Sequence, residues 1–419
     1  MMSPELVSVG ALLVMFVVGT VLPINIGILA FVASFAIGTT ALNMTEDQIF
    51  EGFPVELFLT IVGVTYLFAV ARRNGTVDLL VASGVRLVRG RTSLIPWVLF
   101  LLAGVLTSLG TFTPAAVAIL VPIAMNFAFR YDINPLMTGM MVISGAHAGA
   151  FSPMAVSGAL VLGMVDDTEL SVAPATLFFA SFAVNLLLSV LTFAALRRRT
   201  MTADPTARPE QETADGDTAA QPATWHQWAT LAALAGLVVC ALGFRMPIGV
   251  LALAAGALLA LLDMKRQEKA VDGISWHTLL LVGGMMTYIA MLEHAGIIEK
   301  ISRHAADFGA PLVVALLLCF TVAVTSAFAS STAILTAIIP IAVPLLLSSH
   351  LSTTGLIAAL AVSTTIVDVS PFSTNGALVL SNARGVERRG FYRQVLGYTC
   401  GIVAAGPVVA WGALVLPWS

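Results

Sequence analysis

Apolar runs follow one another along almost the whole chain. They cover residues 6–22, 24–41, 55–71, 94–109, 115–129, 134–165 and 173–196, and after a polar gap 229–244, 247–262, 276–292, 311–327, 332–347, 354–381 and 395–417. About 20 apolar residues carry a helix across the hydrocarbon core, where each backbone polar group must find a partner inside the protein. Of the 419 residues, 58% are hydrophobic and 10% charged, against about a quarter charged in a soluble domain. The fold class expected is therefore all-α integral membrane, with the bilayer as partner and no nucleic acid. The opening MMSPELVSVG has no basic stretch and enters a span directly, so no cleavable signal is expected. Cys240, Cys319 and Cys400 all fall within apolar runs and read as packing residues, with no metal-ligand spacing.

The pattern occurs twice, 218 positions apart. Thr107-Ser108 matches Thr325-Ser326, Pro122-Ile123-Ala124 matches Pro340-Ile341-Ala342, and Ser152-Pro153 matches Ser370-Pro371. GALVL at 158–162 returns at 376–380, and VGVTYLFAVARRNG (62–75) is echoed by VGGMMTYIAMLEHAG (282–296). Residues 1–199 and 226–419 therefore read as two copies of one unit. Between them, 200–225 is a polar, acidic, Pro-containing linker that cannot bury a core and is expected to be disordered.

Four runs are short for a span, those flanking TSLGTFTP (107–114) and TSAFASST (325–332). They form either re-entrant hairpins or thin full spans, and both leave the chain on the same side afterwards. Read as hairpins, they give each copy five crossings. Of the 20 Lys and Arg, all but Arg245, Lys300 and Arg303 then fall on one side. Positive charge accumulates on the cytoplasmic side, so both termini are expected outside and the linker inside, in the cell inner or plasma membrane. An odd number of crossings makes the copies face opposite ways. Inverted repeats of this kind characterise secondary transporters, with the site at the repeat interface.

The runs 134–165 and 354–381 each contain Ser-Pro. Ser152 and Ser370 are expected N-caps, with Pro153 and Pro371 in the first helical position. Thr113-Pro114 repeats the device at the first hairpin tip, and Ser331-Thr332 supplies hydroxyls at the second. Four helix N-termini would then converge, each with free N–H donors and roughly half a positive charge, which suits anions. The plainer alternative is a pair of proline kinks, which predicts no clustering of hydroxyls. Here Thr107, Ser108, Thr111, Thr113 and Ser152 gather in one half, and Thr325, Ser326, Ser330, Ser331, Thr332, Ser370, Ser373, Thr374 and Asn375 in the other.

Asp368 is the one acidic side chain deep in a span. It suits Na⁺ ligation, proton carriage or hydrogen bonding to helix ends. His147, in SGAHAGAFSP, meets a substrate carboxylate, titrates during transport, or is simply a satisfied buried imidazole. The stretches 76–91 and 297–309 are amphipathic and read as interfacial arms or surface anchors.

INIGILAFVASF, EGFPVELFLTIVGVTYLFAVARRNGTVD, RGRTSLIPWVLF, TPAAVAILVPIA and GAHAGAFSP resemble the dicarboxylate carrier MatC family. That family lies in the ion transporter superfamily that also holds the divalent anion/Na⁺ symporters. The resemblance implies a homodimer, scaffold helices at its interface, and an elevator-like unit of hairpins and broken helices. It also implies a small dicarboxylate, malonate or a C4 acid, taken up with Na⁺ and without any other cofactor. In the better-known symporters each hairpin tip carries Ser-Asn-Thr, where this chain has Ser330-Ser331-Thr332 and Phe112-Thr113-Pro114. Carried over by position, the cation sites fall on Ser108, Gly110, Thr113 and Gly149, and on Ser326, Ser330, Ser331 and Asp368. The substrate is expected at Thr111, Thr113, His147, Ser152, Ser331, Thr332, Ser373, Thr374 and Asn375.

No metal cluster, nucleophile–base pair or soluble catalytic domain points to an enzyme. The function expected is secondary active import by Na⁺ symport. An H⁺-coupled carrier or exchanger using Asp368 and His147 is the alternative within transport, and a channel the alternative outside it.

Overall fold

The computed structural model describes residues 4–418 except 23, 87–90, 167–169, 198–222, 245, 298–310 and 329–330. The linker positions 200–222, the arm positions 87–90 and 298–309, and Ser330 therefore lie outside the described residues. Among those described, regular structure is helical and contains no strand. The first half comprises α1 (Pro4–Val21), α2 (Ile26–Thr40), α3 (Glu46–Phe50), α4 (Val55–Arg73), α5 (Thr76–Arg86), α6 (Ile95–Ser108), α7 (Thr113–Arg130), α8 (Pro135–Gly149), α9 (Val156–Asp166) and α10 (Pro174–Leu196). The second comprises α11 (Trp225–Phe244), α12 (Ile248–Leu262), α13 (Trp276–His294), α14 (Pro311–Ser326), α15 (Ser331–Ser348), α16 (Thr353–Thr365), α17 (Thr374–Asn382) and α18 (Arg388–Leu414).

Four of these helices, α4, α7, α10 and α18, are long and apolar enough to cross a membrane. α6, which precedes TSLGTFTP, has 14 residues, about 21 Å of helix against a bilayer core of roughly 30 Å, whereas α7 after it is among the four long enough to cross. The runs 134–165 and 354–381 are each two helices, α8–α9 and α16–α17, separated by breaks at 150–155 and 366–373. The helix after the linker begins at Trp225, earlier than the apolar run alone indicates, because Trp225, His226, Gln227 and Trp228 form its polar first turn.

The breaks differ from the expectation in one respect. Ser152 and Ser370 are not helix caps. Their hydroxyls accept from Met154 N (3.3 Å) and Phe372 N (3.2 Å), two residues on, and so close small turns. Pro153 and Pro371 lie inside these turns, and the helices start at Val156 and Thr374. Ser373 is the cap of α17, accepting from Gly376 N at 3.1 Å. Ala155, 218 positions earlier, has no side chain to do the same.

Helices α8 and α16 form the centre. Every residue of α8 is buried, as is α16 from Gly355 onward. α8 is packed by α6, α7 and α10, and α16 by α14, α15 and α18, so one arrangement occurs twice. The matching extends to single bonds. Asn134 caps α8 by accepting from Met137 N, and Ser352 caps α16 by accepting from Gly355 N. Thr107 Oγ1 donates to the carbonyls of Ala103 and Gly104, and Thr325 Oγ1 to those of Thr321 and Val322. All of these pairs are 218 positions apart. Replacing Asn134 or Ser352 by alanine should cost about 1 kcal/mol each, read as a lower thermal unfolding midpoint in detergent. An unchanged midpoint in both variants would mean that the caps do not hold these helix starts.

Other helices pair across the halves. α2 packs on α13 and α12 on α4. Gly27 and Gly284 abut each other's helix so closely that a methyl on either would overlap backbone, and Gly63 and Gly249 do the same across α4 and α12. Small residues of this kind let helices associate in lipid by close van der Waals contact. The half-helices also pair across the halves, α7 against α17 and α9 against α15.

Candidate functional site

The two breaks meet through three side chains. His147, in the last turn of α8, places Nε2 3.4 Å from Asp368 Oδ2 in the second break. Asn375, in the first turn of α17, donates from Nδ2 to the same Oδ2 at 3.3 Å and lies 3.4 Å from His147 Nε2. A carboxylate oxygen accepts, so Oδ2 takes the Asn375 amide N–H and, in the Nε2–H tautomer, the imidazole N–H as well. The cluster is enclosed: His147 is 2% exposed, Asn375 0%, and the Asp368 side chain 14%. His147 Nδ1 and Asn375 Oδ1 are buried without a hydrogen-bond partner. Unmet buried polar atoms cost about 1–3 kcal/mol each and are uncommon in native structures.

The surrounding backbone is also held across elements. Ser181 Oγ on α10 donates to the His147 carbonyl at 3.0 Å, and Ser326 Oγ at the end of α14 donates to the Thr364 carbonyl at 2.8 Å. Each bond serves a carbonyl in the last turn of a broken helix, where helical partners run out; the His147 carbonyl also accepts from Ala150 N at 3.2 Å. Ser373 Oγ lies within hydrogen-bond reach of the carbonyls of Asp368 (2.5 Å) and Ser370 (2.8 Å). Gly158 and Gly376 are pressed onto the carbonyls of Ser152 and Ser370 so tightly that a methyl on either would overlap the oxygen.

Of the expected substrate residues, His147 and Asn375 are therefore in direct contact, with Ser373 capping the helix beside them. Thr111, Thr113, Ser152, Ser331 and Thr332 are buried, while Thr374 is exposed. The hydroxyls of Thr111, between α6 and α7, and of Ser331, at the start of α15, have no partner among the described residues. Of the expected cation residues, Ser108 borders Gly149, whose Cα also faces Thr107. Gly110 takes a positive φ of 118° and abuts Val64 and Phe68 of α4 and the Met154 carbonyl. In the second half Ser326 engages the Thr364 carbonyl, whereas the carboxylate of Asp368 turns to His147 and Asn375.

Ser181 is absent from the residues singled out by sequence. The signal was present: Ser181, Asn185, Ser189 and Thr192 follow one another at helical spacing along the otherwise apolar α10, and all four are buried.

Two cavities lie at opposite ends of α4, whose Glu56 and Arg72 are about 24 Å apart along the axis. One, of about 630 Å³, is lined by Glu51, Glu56 and Glu293 together with Pro153, Leu162, Met286 and Pro340. The other, of about 490 Å³, is lined by Arg72, Arg73, Lys269 and Asp272 together with Thr65, Thr111, Phe112 and Ser275. Neither reaches His147, Asp368 or Asn375. No cluster of three or more His, Cys, Asp or Glu suited to a metal occurs among the described residues.

Residues 2–150 match the family model described as dicarboxylate carrier protein MatC N-terminus, so the resemblance seen in the sequence holds over that stretch. The fold is similar to the crystal structure of the Alcanivorax borkumensis YdaH transporter, described as having an unusual topology. That likeness has a TM-score of 0.58 at 17% identity, over 87% of this chain and 86% of that one. No curated protein matches the sequence significantly.

Proposed function

We propose that the chain is a secondary active carrier, not an enzyme, which imports a small dicarboxylate, malonate or a C4 acid, across the cell inner or plasma membrane. The observation that carries this reading is the contact of His147 with Asp368 and Asn375, which joins the breaks of both halves in one enclosed polar cluster. The family match over 2–150 supports the substrate class. In this reading 1–199 and 226–419 are inverted repeats, an assignment supported by the bonds that recur 218 positions apart. The basic-rimmed cavity faces the cytoplasm, both termini lie outside, and 200–225 is a cytoplasmic linker. Hairpins and broken helices move as an elevator unit against α2, α4, α12 and α13 in a homodimer.

The hydroxyls and helix N-termini at the breaks bind the carboxylates. Among the described residues, no Lys or Arg pairs with His147, Asp368 or Asn375 to neutralise a dianion. Moving an uncompensated dianion inward against 100 mV costs about 4.6 kcal/mol, and two co-transported cations remove that cost. Na⁺ is the proposed co-ion, ligated from the hairpin tips and the facing breaks. A second reading, H⁺ as co-ion, is favoured by the His147–Asp368 pair, since an enclosed imidazole–carboxylate contact is suited to passing a proton.

Proteoliposome uptake of malonate and succinate under imposed Na⁺ or pH gradients tests both. Concentrative, saturable uptake driven by Na⁺ is the expected result. Uptake indifferent to Na⁺ but driven by a pH step would replace Na⁺ by H⁺. Downhill flux without accumulation or saturation would replace the carrier by a channel.

A further inference from the structure

The two cavities carry opposite charge. Among the described residues, the larger has Glu51, Glu56 and Glu293 in its wall and no Lys or Arg. The smaller has Arg72, Arg73 and Lys269 against the single carboxylate of Asp272, a formal excess of two positive charges. A bias toward basic residues on one membrane face explains their presence on that side. It does not explain why bases from two separate segments, the end of α4 and the loop before α13, line one cavity. That cavity extends to the first hairpin tip, where Thr111 is 7% exposed and its hydroxyl has no partner. Beside it α7 begins at Thr113 without a side-chain cap from Phe112; Pro114 has no N–H, and those of Ala115 and Ala116 donate to the Phe112 carbonyl, so only the Thr113 N–H faces this end of the helix unclaimed by that carbonyl.

We propose that this cavity is an anion-collecting subsite, separate from the His147–Asp368–Asn375 cluster, which takes small carboxylate dianions between Arg72, Arg73 and Lys269 at its rim and Thr111 at the hairpin tip. The choice of dianion rests on the dicarboxylate reading above. The charge arrangement does not. Walls of one sign around a concave, low-dielectric space focus the field and raise the local concentration of counter-ions. The subsite raises affinity for substrate on the side it faces, and it slows release of substrate arriving from the opposite side.

The test uses a reporter cysteine, so it does not depend on transport. Ser275→Cys is placed in the full chain with the partly and fully exposed native thiols removed (Cys240→Ser, Cys400→Ser). The protein is reconstituted in vesicles of phosphatidylcholine alone, then with added phosphatidylglycerol. The rate of modification by an anionic methanethiosulfonate is compared with that by a cationic one. The anionic reagent is expected to be favoured, and the triple change Arg72→Gln, Arg73→Gln, Lys269→Gln to lower that preference about tenfold at low ionic strength, less near 0.15 M salt where the Debye length is about 8 Å. Asp272→Asn should raise it, a gain that misfolding does not produce. Malonate should protect the thiol in phosphatidylcholine vesicles.

A preference unaltered by both charge changes would overturn the subsite. Loss of the preference on adding phosphatidylglycerol, with no protection by malonate, would assign the cavity to lipid headgroups and overturn it equally. Charge-dependent preference and malonate protection in a protein that accumulates no dicarboxylate would uphold the subsite while refuting the carrier reading.

Discussion

Asp368→Asn is expected to lower the initial rate of dicarboxylate uptake by about a hundredfold, about 2.7 kcal/mol, in protein that still purifies as a folded species. The substitution keeps the shape of the side chain and removes its charge. In the native cluster Oδ2 receives both the Asn375 amide and the His147 imidazole. Removing one partner of a buried pair can cost 3–5 kcal/mol when the other charge is left uncompensated. Here the asparagine carbonyl still accepts a bond, which moderates the loss. Uptake close to that of the wild type, normalised to folded protein, would remove Asp368 from the transport site.

Gly376→Ala should be still more damaging. The methyl would overlap the Ser370 carbonyl oxygen and crowd the Val369 carbonyl, both backbone atoms of the break itself, so no side-chain rotation relieves it. Overpacking in a tight interior costs about 1–3 kcal/mol, and more where backbone must shift. A loss of at least about 3 kcal/mol is expected, seen as a markedly lower thermal midpoint together with abolished uptake. Gly158→Ala should repeat the effect against Ser152. A variant at either glycine with unchanged midpoint and uptake would show that the breaks are not held in this tight form.

The sequence was most informative where physics leaves few choices. Helices were forced by lipid, and the discontinuities in 134–165 and 354–381 were marked by Ser152-Pro153 and Ser370-Pro371. The first turns after those dipeptides were not legible. A Ser-Pro pair serves equally as a helix cap or as a small turn, and only the tertiary position of Gly158 and Gly376 selects the turn. His147 and Asp368 were each identifiable as polar residues in apolar runs, yet their contact was not. They are not equivalent positions, since 218 residues after His147 comes Thr365, so the internal repeat gave no reason to pair them. Ser181 was visible only as part of the polar stripe on α10, a signal hidden among ordinary small residues of membrane helices. The crossing of α2 onto α13 and α12 onto α4 rests on Gly27, Gly284, Gly63 and Gly249, and glycine alone does not name its partner.

Transport by both halves through one shared cluster is tested most directly by a double-mutant cycle on His147 and Asp368. Uptake rates are compared for the wild type, His147→Gln, Asp368→Asn and the double variant, each normalised to folded protein. Residues acting as one unit are strongly non-additive, so the double variant should be no slower than Asp368→Asn alone. If instead the two losses multiply in full, the breaks act independently, and a single cluster shared by the two halves is contradicted.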